Sequence, residues 1–452
     1  MRTAGPDLDA DPARSTDTRP AGTRPADARP AVTRPAAATP PTAAATAATG
    51  RRLWSELEHP GQAVAHLTPN WFASVMGTGV VAVAASSLPV REPLRGTAAG
   101  AALDALALAA WLTAAALLVV LLAGSALHWA RHPATARAYA RHPVMANFYG
   151  APAMGLLTVG AGAHLVGERV LGATAGLAVF AVLWVLGTAL GLATAVVVPF
   201  RAVVGTGAGG GTSTGAGGGT STGAGGGTST GAGAVPTTAP AALPAWMMPV
   251  VPPMVSASTG ALLVPHVPAG QPRLTLLLLL AALFGLSLVA GLMTATLVHG
   301  RLLAGGPLPV QAAPTTWITL GVVGQSMTAA LLLAAAAAGV AGEGAAQVLR
   351  VLAVVYAAAM GGFGALLLLT AAALTAHAAR RGLRFSLTWW SFTFPVGTCV
   401  TGTSALGAAT GSLAVDALAV ALFGLLLLAW SLVAARTARG AATGALLLPV
   451  RG

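Results

Sequence analysis

Lysine is absent from the 452 residues, cysteine occurs once, and charged side chains make up 8% of the chain against 55% hydrophobic. So little charge cannot cover the surface of two or three soluble domains, which leaves a single membrane-embedded body. The lone Cys399 excludes an intrachain disulfide or a cysteine cluster, and its place in an apolar run makes it a packing residue. Positive charge comes from 24 arginines against 12 acids. These arginines are not grouped on a soluble face; they fall in the N-terminal tail and between apolar runs. They therefore speak for membrane topology and against a nucleic-acid partner.

Two further absences narrow the function. No aspartate, glutamate or arginine lies near the middle of an apolar run, and Asp104 and Asp416 sit close to run ends. Cation paths and proton relays display buried carboxylates, because a charge at mid-membrane costs about 2.5–3.5 kcal/mol and is kept only for function. There is no HxxxH metal site either: His128 and His132 straddle a helix end with no third ligand nearby, so no metal or other cofactor is expected. His164 and Cys399 alone do not make a catalytic cluster, and short loops argue against a receptor. His128, His132, His142, His299 and His377 fall at expected inner helix ends, where polar or cationic ends at the interface explain them.

What is present begins with an Arg/Pro/Ala-rich tail, residues 1–65, expected to be disordered and cytoplasmic. It holds no secretory h-region, so the first apolar run is expected to stay in the mature protein. An insert at 205–244 repeats GAGGGTST three times and reads as a flexible cytoplasmic linker. A transporter domain is expected over 66–436 and a short cytoplasmic tail over 437–452. With about 20 residues per crossing, ten spans fall at roughly 70–88, 99–127, 144–166, 171–198, 245–264, 273–299, 314–340, 346–376, 386–410 and 413–435. Arg131, Arg137, Arg141, Arg201, Arg301, Arg380, Arg381, Arg384, Arg436, Arg439 and Arg451 then share one side with Arg51 and Arg52. The other side holds Arg91, Arg95, Arg169, Arg273 and Arg350, and the acids Glu92, Glu168, Glu343 and Asp416 fall there or at a span's outer edge. The excess predicts both termini inside a multi-pass protein of the plasma (inner) membrane.

The spans alternate in kind. Even ones are nearly uniform Leu and Ala, as in WLTAAALLVVLLAG, and suit lipid. Odd ones read PNWFASVMGTG (69–79), HPVMANFYGAPAMG (142–155), LPAWMMPVVPPM (243–254), APTTWITLGVVGQS (313–326) and TWWSFTFPVGTCVTG (388–402). The fold class is therefore all-α: five helical hairpins, each with one greasy and one irregular member. Irregular backbone is tolerated in a bilayer where protein or a water-filled cavity surrounds it, so the odd helices are expected to line a common pore. Pro395 is expected to kink its helix near Phe394. The pore-lining candidates are Gly77, Thr78, Gly79, Asn147, Phe148, Pro152, Pro249, Pro252, Gly321, Gln325, Pro395 and Thr398. Hydroxyls, amides and helix ends hold anions weakly, which suits throughput.

PNWFASVMGTG, HPVMANFYGAPAMG and WWSFTFP resemble the tellurite-resistance/dicarboxylate transporter family, which includes yeast malate permeases and sulfite exporters and plant slow anion channels. The resemblance covers about residues 66 to 436, broken only by the glycine-rich insert, and its nearest likeness is to the C4-dicarboxylate/malic acid transporters. It implies ten helices around a central pore, a homotrimer with one pore per subunit, and a pore-plugging phenylalanine in the ninth helix. WWSFTFP puts Phe394 in that place, with Phe392 the second candidate. The implied cargo is a small anion: a C4-dicarboxylate such as malate, or sulfite, tellurite, chloride or nitrate. A proton-coupled dicarboxylate or sulfite carrier is the alternative, and no catalytic residue is expected.

Overall fold

Proline in the first turn of a helix loses no hydrogen bond, since the N–H it lacks would have had no partner there. The computed structural model, which describes residues 54–57, 59, 61–208 and 242–448, uses this in four of the five irregular spans; in the other, Pro314 lies inside the 3-10 segment. Its main helices are α1 (Phe72–Ser87), α2 (Ala98–Arg131), α3 (Gly150–Leu165), α4 (Ala173–Ala208), α5 (Pro252–Gly260), α6 (Gln271–Gly305), α7 (Ile318–Ala337), α8 (Glu343–Arg380), α9 (Phe394–Thr410) and α10 (Leu413–Thr443). Each odd-numbered helix is preceded by a 3-10 segment: Pro69–Trp71, Met145–Tyr149, Pro244–Met247, Val310–Trp317 and Leu387–Phe392. Pro152, Pro252 and Pro395 lie in first α-turns. Pro395 therefore starts α9 and does not kink it. The break falls one step earlier, at Thr393 (φ −95°, ψ −68°), where the 3-10 turn gives way to the α-helix. Nearly all of the expected tail at 1–65 and insert at 205–244 lie outside the described residues, as does 449–452.

Among the described residues, six helical stretches are long and apolar enough to cross a membrane: the five even-numbered helices and Val310–Ala337, which joins the 3-10 turn to α7. At 1.5 Å per residue, the even helices of 31–38 residues exceed a hydrocarbon core of about 30 Å. Their extra turns carry Arg131, Arg201, Arg301, Arg380, Arg436 and Arg439 at the C-terminal ends, where cations also suit the helix dipole.

Burial separates the two kinds of helix. In the even helices 22–33% of the most apolar window is buried, against 78% in Val310–Ala337. The inward stripe of α2 sets Ala107, Ala110 and Ala114 around Trp111 and continues through Leu118, Leu121 and His128, whereas Val119 and Val120 face outward. The alanines of that stripe let α2 approach its neighbours closely, as small residues do at helix contacts in lipid.

Consecutive helices pack in pairs, and the odd-numbered ones also form a closed ring: α1 touches α3, α3 touches α5, α5 touches α7, α7 touches α9, and α9 returns to α1. Trp111 ties α2 to this ring. Its indole N–H donates to the Val159 carbonyl at 3.1 Å, and the ring lies against Gly162 and Gly167, which have no side chain to push it away. Trp111→Ala is expected to cost about 3 kcal/mol or more, read as a lower thermal midpoint of the purified protein in detergent.

Candidate functional site

Two cavities lie inside the ring of odd helices, and every described residue lining either one comes from those helices or the turns joined to them. The smaller, about 20 Å³, sits at their N-terminal ends among Met76, Phe148, Met248, Ile318, Gly321, Trp390 and Pro395. It has room for little more than one water molecule. The larger, about 240 Å³, lies among their C-terminal halves and is lined by Ser86, Ser87, Thr158, Ser258, Thr259, Gln325, Thr328, Thr401 and Ser404 between aliphatic side chains. Among the described residues, no ionisable side chain lines either cavity.

Phe394 borders both, and it is 4% exposed. The first residue of α9, it is held where the 3-10 turn meets the α-helix, with Thr393 donating its hydroxyl to the Trp390 carbonyl at 2.8 Å. Phe392 lies elsewhere. Its ring meets Trp317 at 5.2 Å and Trp389 at 5.6 Å, and Arg436 stands 5.0 Å over Trp389. Phe392 belongs to this aromatic anchor and lines neither cavity.

The other residues singled out in the sequence divide. Phe148, Gly321 and Pro395 line the small pocket and Gln325 lines the large cavity. The rest line neither cavity. Thr78 accepts from the Trp430 indole at 3.2 Å, and a side chain at Gly77 would collide with Trp390 and Thr393. Gly79 faces Thr158 and Ala114. Asn147 donates to the Pro143 carbonyl at 2.8 Å. Thr398 back-bonds to the Pro395 carbonyl at 2.7 Å beside Gly324. Pro252 packs on Gly191 of α4, Pro249 lies against Gly150, and Pro152 lines neither cavity. Ser258, Thr328 and Ser404 went unread in the sequence, where they look like any hydroxyl that bonds back to its own helix.

Those hydroxyls give the large cavity its polar character. The Gln325 amide donates to the Ser258 hydroxyl, and Thr328 and Thr401 pair across α7 and α9 at 2.8 Å. Around the small pocket the N-terminal ends of the α-helices converge, so their partial positive charge favours an anion there. At the opposite end of the ring Asp104 bridges Arg91 at 3.0 Å and Arg169 at 2.9 Å, and His164 meets Glu168 at 2.6 Å.

Comparison with known proteins adds a family to this geometry. A family described as voltage-dependent anion channel matches residues 66–438. An uncharacterised transporter of Methanocaldococcus jannaschii is 23% identical over 386 residues, 84% of this chain and 95% of the relative. A second from the same organism is 25% identical over 186 residues, 41% of this chain and 52% of its own length. A sulfite efflux pump of Arthroderma otae is 25% identical over 184 residues, 38% of this chain and 47% of the pump. With a match that starts ahead of α1 and runs into α10, the chain belongs to the voltage-dependent anion channel family.

Proposed function

We propose that the protein carries small anions across a membrane through a pore enclosed by the five odd-numbered helices and closed by the ring of Phe394. The single observation behind this reading is that Phe394 borders both cavities, the tight one at the helix N-termini and the roomy one beyond. A dry aromatic constriction blocks ions until it moves aside. The family's description as anion channels and the sulfite efflux pump among its relatives support an anion as cargo.

The fuller form of the proposal has all ten helices crossing the bilayer as five hairpins. Both termini lie on the arginine-rich inner side of a plasma membrane, and the protein assembles as a homotrimer. Malate and other C4-dicarboxylates, sulfite, tellurite, chloride and nitrate are the substrate classes to compare. The test is flux of chloride, nitrate, sulfite and malate in proteoliposomes, with and without an imposed pH gradient. Downhill anion flux that ignores the gradient is the result expected, and no flux of any anion by folded protein contradicts the reading. A second reading, a proton-coupled carrier, draws on the His164–Glu168 contact, one residue from cavity-lining Leu165. Uptake that requires the pH gradient would favour it.

A further inference from the structure

We infer that the cleft between α8 and α10, where α9 begins, holds the phosphate of an anionic phospholipid between Arg384 and Arg436. The inference needs only a membrane-embedded chain and is independent of the pore reading above. The first observation is an aromatic floor that runs from one outer helix to the other. The Trp317 indole donates to the Thr375 hydroxyl of α8 at 2.9 Å, Trp317 meets Phe392 at 5.2 Å, Phe392 meets Trp389 at 5.6 Å, and the Arg436 guanidinium of α10 stands 5.0 Å over Trp389. Phe392 and Trp389 are half-buried, so part of each ring is left open. On α10, Leu428, Leu432 and Arg436 follow one another at four-residue intervals, which places them on one face, and both leucines are exposed. An apolar stripe that ends in an arginine over an indole has the order of a phospholipid, with chains along the leucines and phosphate at the guanidinium.

The second observation is unbalanced charge. Arg384 is fixed by its backbone: its carbonyl accepts the Trp389 indole N–H at 3.1 Å, and its own N–H donates to Gln311 at 3.0 Å. Its guanidinium, like that of Arg436, is exposed, and neither has a carboxylate partner among the described residues. The ion pairs all lie at the opposite end of the helices, on Asp104, Glu92 and Glu168. Glu56 is the one described acid at this end, and it pairs with no arginine. Two guanidinium forks beside one indole match the oxygens of a phosphate, which each can take in bidentate fashion. A zwitterionic headgroup brings its own ammonium to that phosphate, so the lipid these arginines favour is one with net negative charge.

The experiment reads the half-saturating mole fraction of phosphatidylglycerol in mixed micelles, by native mass spectrometry of the full chain. An arginine near an anionic lipid surface is worth about fivefold in binding. Arg384→Gln combined with Arg436→Gln is therefore expected to raise the half-saturating fraction about thirtyfold. Both side chains are exposed, so the variant is expected to keep its thermal midpoint in lipid-free detergent. Arg137→Gln combined with Arg141→Gln removes two exposed arginines from the helix Pro133–Arg141 and is expected to leave the fraction near that of wild type. Neither phosphatidylcholine nor inorganic phosphate is expected to displace the bound phosphatidylglycerol. Undiminished binding by the Arg384/Arg436 variant, an equal loss in the Arg137/Arg141 variant, or displacement by phosphatidylcholine or inorganic phosphate overturns the inference. None of these outcomes bears on Phe394 or on anion flux, so the pore reading stands or falls separately.

Discussion

Replacing Phe394 with alanine is expected to raise anion flux about tenfold or more, the factor that accompanies a barrier lowered by about 1.4 kcal/mol. The residue borders both a pocket of about 20 Å³ and a cavity of about 240 Å³, and loss of its ring is expected to join the two. The backbone around it is held by other residues: Pro395 sits in the first turn of α9 and the Thr393 hydroxyl donates to the Trp390 carbonyl. Phe392→Ala is the contrast. That ring packs between Trp317 and Trp389 at the start of the same segment, so its removal is expected to lower thermal stability without raising flux through folded protein. Equal flux from wild type and a well-folded Phe394→Ala would remove the gate assignment.

Gly324→Val is expected to prevent folding or cost about 3 kcal/mol or more. At Gly324 α7 touches the backbone of α9 directly: a Cβ there would stand 2.5 Å from the Cys399 nitrogen and 2.6 Å from the Thr398 carbonyl carbon. Neither is a flexible side-chain end that can swing away. From the other side, a Cβ at Gly402 would stand 2.7 Å from the Gly324 oxygen. In a bilayer, where lipid is as apolar as a helix surface, such close contact is what holds helices together. Size-exclusion profile and thermal midpoint in detergent report the outcome. A variant that elutes and melts like wild type would show that the two helices do not rely on this approach.

Much of this architecture was legible as a contrast between spans. Leu and Ala in α2, α4, α6, α8 and α10 have no polar group to hide, and these helices stand outermost; the Gly, Pro and hydroxyl-rich spans form the inner ring. The alternation of composition therefore carried the layering. Facing was not legible in the same way. The odd helices are buried nearly all round, so no polar stripe marks a pore side. Thr78 and Thr398 looked as suited to a pore as Gln325, which lines the large cavity, yet one is taken by Trp430 and the other by its own helix. Prolines misled for a related reason. Whether Pro395 kinks a helix or begins one depends on where the preceding 3-10 turn ends, and packing of Phe392 and Trp390 against neighbouring helices decides that.

The pore itself is tested most directly by thiol labelling. In a Cys399→Ser background, single cysteines at Gly321 in the small pocket and at Gln325 in the large cavity are exposed to a membrane-impermeant thiol reagent, added to one side of sealed vesicles at a time. With Phe394 in place, each cysteine is expected to react from one side only, and the two from opposite sides. With Phe394→Ala, both are expected to react from both sides. Labelling that is the same with and without Phe394, or no labelling from either side in folded protein, would contradict a pore closed by that ring.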